Sequence, residues 1–308
     1  MRSAVTRVLM AHAITLTILV AGAAYAAETP AVAAGKVARL PNGKPNLSGI
    51  WQAMNTANWD LEPHSARAAL ATVPGQFTAV PAPQVVALGA VGSVPAGLGV
   101  VEGNEIPYLP AALEQKKENQ KNWLTSDPEI KCYLPGVPRA NYMPYPFQIS
   151  HNKDYLFFAY EYAGAVRNVY LKDPGPAPTD SWMGQSVGHW EGDTMVIDVT
   201  GFNDSTWFDR AGNFHSDKLH VVERFTPRGP DILQYEATIE DPQTFSRPWK
   251  ISMPLYRHVE KNAQLMQFKC VEFVEELMYG ELRKKPVSAA TDKPAADKPA
   301  ADKAATAK

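Results

Sequence analysis

The chain is poor in the features that announce most functions. Cysteine occurs twice in 308 residues and histidine seven times, and the charged side chains nearly cancel to a formal net charge of −2. With a pI near 6.4 there is no general attraction for phosphate backbones, so nucleic-acid binding is not expected. A phosphate loop of the G-x-x-x-x-G-K type is missing, as is a dinucleotide fingerprint opening a helix, and no cofactor is expected. Beyond the first residues no stretch approaches the about 18 apolar residues of a spanning helix. Cys132 and Cys270 are spaced too widely for a C-x-x-C motif. In an oxidising compartment such a pair most often forms a disulfide, which in the chain-entropy model contributes about 3 to 5 kcal/mol; two buried thiols or a redox pair are the alternatives.

What is present begins with a leader. MRSAVTR carries two arginines, VLMAHAITLTILVAGA is apolar, and Ala24-Tyr25-Ala26 offers the small residues that a signal peptidase reads. Residues 1–26 are therefore expected to be removed on export to the periplasm or medium. No cysteine stands at the cleavage point to carry a lipid, and no membrane insertion is expected after cleavage. Residues 27–40 read as an alanine-rich linker, 41–285 as a single domain, and 286–308 as a tail. Its repeats of Ala, Lys, Asp and Pro cannot bury enough apolar area to offset chain entropy, so the tail is expected to be disordered.

Within the domain, 41–146 reads as an irregular wrap with one helix over Leu109–Leu124, whose first turn Pro110 suits. Ile50 and Trp51 are expected in the core. From Phe147 onward, eight or nine runs of alternating character follow one another with mostly short connections. In Ile232–Glu240, for example, Leu233, Tyr235, Ala237 and Ile239 alternate with mostly polar residues. The last of these runs is Leu265–Val271, followed by a helix over Val271–Leu282. The fold class expected is mainly β: an antiparallel up-and-down sheet closing into a lipocalin-like barrel, because closure removes exposed edges.

Chemistry is densest between Ser181 and Phe225. Glu191-Gly192-Asp193 supplies a tight reversal between two strands. Residues 201–218 form a long polar loop that carries Trp207, Asp209, Arg210, His215 and Asp217, and its aromatic rings argue against disorder. On the strand that follows, alternation puts Leu219, Val221, Glu223 and Phe225 on one face and His220, Val222 and Arg224 on the other.

The chain resembles an uncharacterised family of secreted bacterial proteins that share PxLSGIW, CYLPGVPR, SWMGxSxGxWEGDTxVxDxxGFND and TWxDxxGxxHSDxLHVxERF. These motifs stand here at 45–51, 132–139, 181–204 and 206–225. The resemblance implies export and the location of a site, and it implies no particular activity. The W-E-G-D-T hairpin and the E-R-F strand are also similar to those of lipocalin-like barrels, which hold apolar ligands inside.

Three functional readings follow. In the first, the loop folds over the barrel mouth and gathers His215, His220, Asp209, Arg210, Asp217 and Glu161 for cofactor-independent acid-base chemistry. The protein would then be an exported lyase, isomerase or hydrolase, because histidine exchanges protons near neutral pH and a neighbouring carboxylate orients its ring. Trp182, Trp190, Trp207, Tyr160, Tyr162 and Arg167 would line the site, which suits a small apolar or aromatic compound. In the second, the same pocket carries a hydrophobic molecule without reaction. In the third, His215 and Asp217 bind a metal with His220 or His258 as a further ligand. Convergence of histidines and carboxylates inside one pocket is the feature that separates chemistry from carriage. The G-x-S-x-G at 184–188 lies between β-runs and lacks the strand-to-helix turn of a nucleophile elbow. The oligomeric state stays open.

Overall fold

The computed structural model describes residues 35–68, 72–77, 79–82 and 93–272. The expected leader, the later helix over Val271–Leu282 and the tail fall essentially outside these residues. The strands are β1 (Gly49–Ala53), β2 (Thr72–Pro74), β3 (Ala79–Pro81), β4 (Phe147–His151), β5 (Leu156–Tyr160), β6 (Val166–Tyr170), β7 (Gln185–Glu191), β8 (Thr194–Thr200), β9 (His220–Pro227), β10 (Ile232–Glu240) and β11 (Trp249–Arg257). Two helices, α1 (Pro110–Lys121) and α2 (Trp123–Ser126), occupy the place of the expected single helix. Asn122 separates them, and Pro110 stands in the first turn, where its missing N–H costs nothing.

Nine strands close into a barrel in the order β1-β11-β10-β9-β8-β7-β6-β5-β4, while β2 and β3 pair apart. The wall from β4 to β11 follows chain order, as the alternating runs predict. The ninth strand does not come from the C-terminal side. Leu265–Val271 forms no strand, and the seam between β11 and β4 is filled by β1, which pairs antiparallel with both. Gly49 permits this: a Cβ there would fall 1.9 Å from Arg257 Nη1, which donates to Ser48 O at 2.6 Å.

An odd number of strands cannot alternate in direction around a closed ring, so at least one neighbouring pair must be parallel. That pair is β6 and β7. A parallel pair needs a crossover of a dozen or more residues rather than a hairpin, and the 14 residues 171–184 supply it. The ladder between these strands is short, consisting of Val169 with Ser186 and Tyr170 with Val187. Elsewhere the turns are tight. Glu191 pairs with Thr194 around Gly192-Asp193, with Gly192 at a φ of +60° that other residues rarely adopt.

Alternation along the wall puts one face of every strand inside. Leu233, Tyr235, Ala237 and Ile239 of β10 and Trp249, Ile251, Met253 and Leu255 of β11 are all buried. The interior is filled by side chains. Phe158 of β5 meets Phe225 of β9 across the barrel with ring centroids 5.6 Å apart, and Phe225 meets Tyr235 at 4.9 Å. Burying rings of this size contributes roughly 1.5 to 3 kcal/mol apiece. The wrap and the long loop close one end. Cys132 and Cys270 are bridged, with α-carbons 5.7 Å apart, which ties the segment around Phe268 to the start of the PGVPR run.

Candidate functional site

The loop 201–219 does cover the end of the barrel, but it anchors itself with buried contacts of its own. Trp207 bridges back to Phe214, and Phe208 packs on Phe245 and Trp249. His215 lies between Phe202 and Phe208. Its Nδ1 faces the Ser216 carbonyl at 2.9 Å, which can only accept, so the proton sits on Nδ1. Nε2 is then left to accept from the Thr206 hydroxyl at 2.6 Å. Both ring nitrogens are taken, and burial lowers the His215 pKa, so the ring is held neutral.

Asp209 is equally enclosed. Its carboxylate accepts from the backbone N–H groups of Leu61, Ala211 and Asn213 and from Asn213 Nδ2. Burial, with Asp60 adding to it, raises its pKa to about 7 against the pull of these donors. Arg210 turns away to Glu129, with Nε and Nη2 both donating at 2.8 Å, and stacks on Trp59 with its guanidinium carbon 4.4 Å from the ring centre.

The remaining expected members go elsewhere. His220 stands on the outer face of β9, as its alternation requires, between Asp198 at 3.2 Å and Glu240 at 3.5 Å. Asp217 pairs with Lys218 on the surface. Glu161 accepts from the Met266 N–H. His258 bonds Gln52 at the opposite end of the wall from the loop. The expected convergence of His215, His220, Asp209, Arg210, Asp217 and Glu161 around one cavity does not occur, because alternation turns His220 outward and packing turns His215 inward. Among the described residues no group of three or more His, Cys, Asp or Glu side chains is arranged to hold a metal ion.

The expected aromatic lining is also dispersed. Trp182 meets Tyr133 at 4.4 Å, Trp190 meets His151 at 5.7 Å at the β7–β8 hairpin, and Tyr162 packs on Phe268 while its hydroxyl donates to Glu129 O. Tyr160 and Arg167, however, belong to one arrangement inside the barrel. Arg167 Nε donates to Ser186 Oγ at 2.7 Å, and Arg167 Nη2 donates to Glu223 Oε2. Glu223 Oε1 accepts from Tyr235 Oη at 2.8 Å and Asn141 Nδ2 at 2.6 Å, and Asn141 Oδ1 accepts from Tyr160 Oη at 2.9 Å. Burial alone would lower the guanidinium's pKa, but Glu223 and Tyr160 raise it and the net shift is upward, so Arg167 is a cation. Its Nη1 is buried without a hydrogen-bond partner. The guanidinium lies over the ring of the buried Phe158, its carbon 5.2 Å from the ring centre, so it faces the barrel interior.

A cleft lies on the outer side of the same strand, where Val166 and Tyr170 are exposed. Since the β6–β7 ladder is only two pairs long, Val166, Arg167 and Asn168 precede its first pair, and the crossover stands beside them. Between the two lies a cavity of about 300 Å³, lined on one side by Val166, Arg167 and Tyr170 and on the other by Pro178, Ser181 and Gln185. The crossover is fixed at both ends: Gln185 Nε2 donates to Gly175 O at 2.6 Å, and the Ser181 N–H donates to Gly201 O at 2.9 Å. Arg167 was legible from its strand. Glu223, Asn141, Tyr235 and Ser186 were missed as partners, although a glutamate between Val221 and Phe225 on a buried face is a signal that a cation must meet it.

The fold and site thus define a closed, internally packed nine-stranded barrel with a lateral cleft at its one parallel joint. The chain matches no family model, no curated protein and no solved structure.

Proposed function

We propose that this is an exported binding protein that carries a small molecule without reacting with it, and that the ligand sits in the cleft beside β6 and β7. The observation that carries the reading is the cavity of about 300 Å³ between β6 and the crossover, whose lining joins apolar Val166 and Pro178 to the polar side chains of Asn168, Ser181 and Gln185. Binding sites typically combine a concave pocket with a few placed polar groups. The non-catalytic reading is favoured because the histidines do not enter the cleft. His215 has both nitrogens engaged inside the loop and His220 faces outward from β9. Glu223 is held by three donors, which leaves it poorly placed to accept a substrate proton.

Native mass spectrometry of the purified protein tests this directly. The expected result is a small molecule retained by the folded protein, or captured from a metabolite extract, and released on denaturation. Val166→Trp should abolish retention, because Val166 is 58% exposed and lines the cleft, so the indole fills the cavity without entering the core. Chemical conversion of a captured compound by the wild type would replace carriage with catalysis.

A further inference from the structure

We infer that the cleft takes a short peptide in extended conformation, held by main-chain hydrogen bonds along the open edge of β6. This rests on the binding reading above and adds the chemical class of the ligand. In an antiparallel pair, consecutive residues turn their main-chain N–H and C=O groups alternately toward the partner strand and away from it. Tyr160 N donates to Ala165 O at 2.8 Å, so Ala165, Arg167 and Val169 spend these groups on β5. Val166 and Asn168 therefore turn theirs to the opposite edge, where the ladder to β7 begins only at Val169. Continued in register, that ladder would set Asn168 against Gln185 and Val166 against Met183. A cavity of about 300 Å³ lies between them instead, and all four residues line it.

The side chains of Arg167 and Ser186 bond each other inside the barrel, so what these two residues show to the cleft is main chain. An open edge of this kind is a template for a further strand. An extended peptide satisfies it, with alternate side chains falling beside Val166 and Tyr170, the exposed apolar residues of β6. The edge from Val166 to Asn168 is roughly 10 Å long, so the occupant is short. The crossover decides against a second copy of the chain. Pro178, Ser181 and Gln185 wall the cavity from the far side, and the bonds from Gln185 Nε2 to Gly175 O and from the Ser181 N–H to Gly201 O hold that wall in place. The edge of another sheet brings its neighbouring strand with it and does not fit between two walls, whereas a lone extended segment does.

The experiment is a calorimetric titration of the purified protein with a panel of tripeptides, N-acetylated and C-amidated, that carry apolar side chains. Each is tested beside counterparts N-methylated at one amide at a time, which lose a main-chain donor and keep every side chain. All are also titrated into Val166→Trp, which fills the cleft, and Val166→Pro, which removes the Val166 N–H. Ala165 already has the extended backbone that a following proline requires, with φ −61° and ψ 144°. The expected result is a tripeptide that binds the wild type and is lost in Val166→Trp. It should weaken about ten-fold or more in Val166→Pro and on methylation of an amide that faces β6, but not of the neighbouring amide that faces away. If Val166→Pro does not fold, the methylated peptides carry the comparison by themselves. If every methylated counterpart binds as tightly as its parent and Val166→Trp removes them all, main-chain pairing is overturned while the cleft stands. If no tripeptide binds, but a non-peptide compound retained in native mass spectrometry is lost in Val166→Trp, the peptide class is overturned and the cleft again stands. If nothing binds or is retained, or if binding survives Val166→Trp, both readings fall.

Discussion

Arg139 and Arg167 are buried to the same degree, with side chains 2% and 1% exposed, yet they are built into different kinds of surroundings. Arg139 lies under the wrapped end. Its Nε donates to Asn58, Nη1 and Nη2 donate to the two oxygens of Asp127 at 2.9 and 3.1 Å, and Nη2 also reaches Glu129 at 2.7 Å. Every nitrogen has an acceptor, and Glu129 in turn holds Arg210. Arg167 lies inside the barrel, with one carboxylate and with Nη1 lacking a hydrogen-bond partner. Saturation marks architecture, because a complete network fixes several segments at once and has nothing left to offer a ligand. Burial and charge alone would have ranked the two arginines together.

The strongest way to break this comparison is to remove the saturated member. Arg139→Met leaves Asp127 without a counter-ion and Glu129 with Arg210 alone. Stranding buried charges of this kind costs about 3 to 5 kcal/mol. Chemical unfolding should show a loss of that size, and no ligand of the cleft should restore it beyond its effect on the wild type. A loss under about 1 kcal/mol would mean that the network is not what holds the wrapped end.

The second variant acts on the unsaturated member and should lower stability by a smaller amount. Glu223→Gln keeps acceptor capacity toward Tyr235 and Asn141 but removes the charge that neutralises Arg167. Stability should fall by about 3 kcal/mol. Combining it with Arg167→Met should recover part of that loss, since the orphan charge is then gone. In the single variant the barrel interior keeps an uncompensated cation, which is the source of the loss. No recovery in the double variant would show that the loss does not come from the orphan charge.

How far these two regions could be read in advance differs for physical reasons. The wall was legible because a strand half inside and half outside writes its period into the residues, as in Leu233, Tyr235, Ala237 and Ile239, and the same period turns His220 outward. β1 was not legible as the closing strand. Five residues around Gly49 carry too little alternation, and what places them is the register with β4 and β11. Leu265–Val271 was misread as a strand because a mixed run beside a cysteine looks like one, whereas the disulfide and Phe268 hold it as an irregular strap. Partners across the barrel are long-range facts. Nothing near Arg167 in sequence names Glu223, 56 residues away, or Asn141. The Asp127, Glu129 and Arg139 set sits in a proline-punctuated stretch with no period, so its burial left no pattern to read.

The smallest effect concerns His215, which belongs with Arg139 on the architectural side if its ring is only a neutral packing element. Burial lowers its folded-state pKa below the unfolded value of about 6.5, so below that pH the unfolded chain binds a proton that the folded chain does not. Its contribution is therefore fully present above pH 6.5 and is lost as pH falls, by up to about 1.4 kcal/mol per pH unit until the folded pKa is reached. Asp209, raised to about 7, pulls in the opposite sense between its unfolded and folded values, so the raw pH profile mixes the two. The difference between wild type and His215→Gln removes the common part. Glutamine can still accept from Thr206 and donate to the Ser216 carbonyl without titrating. Measured by chemical unfolding from pH 7 to pH 5, the wild type's advantage over the variant should shrink by up to about 2 kcal/mol. Affinity for any ligand of the cleft should stay equal in the two proteins at pH 7. A constant difference across that range would mean the ring accepts a proton in the folded state, and an altered affinity would return His215 to the binding site.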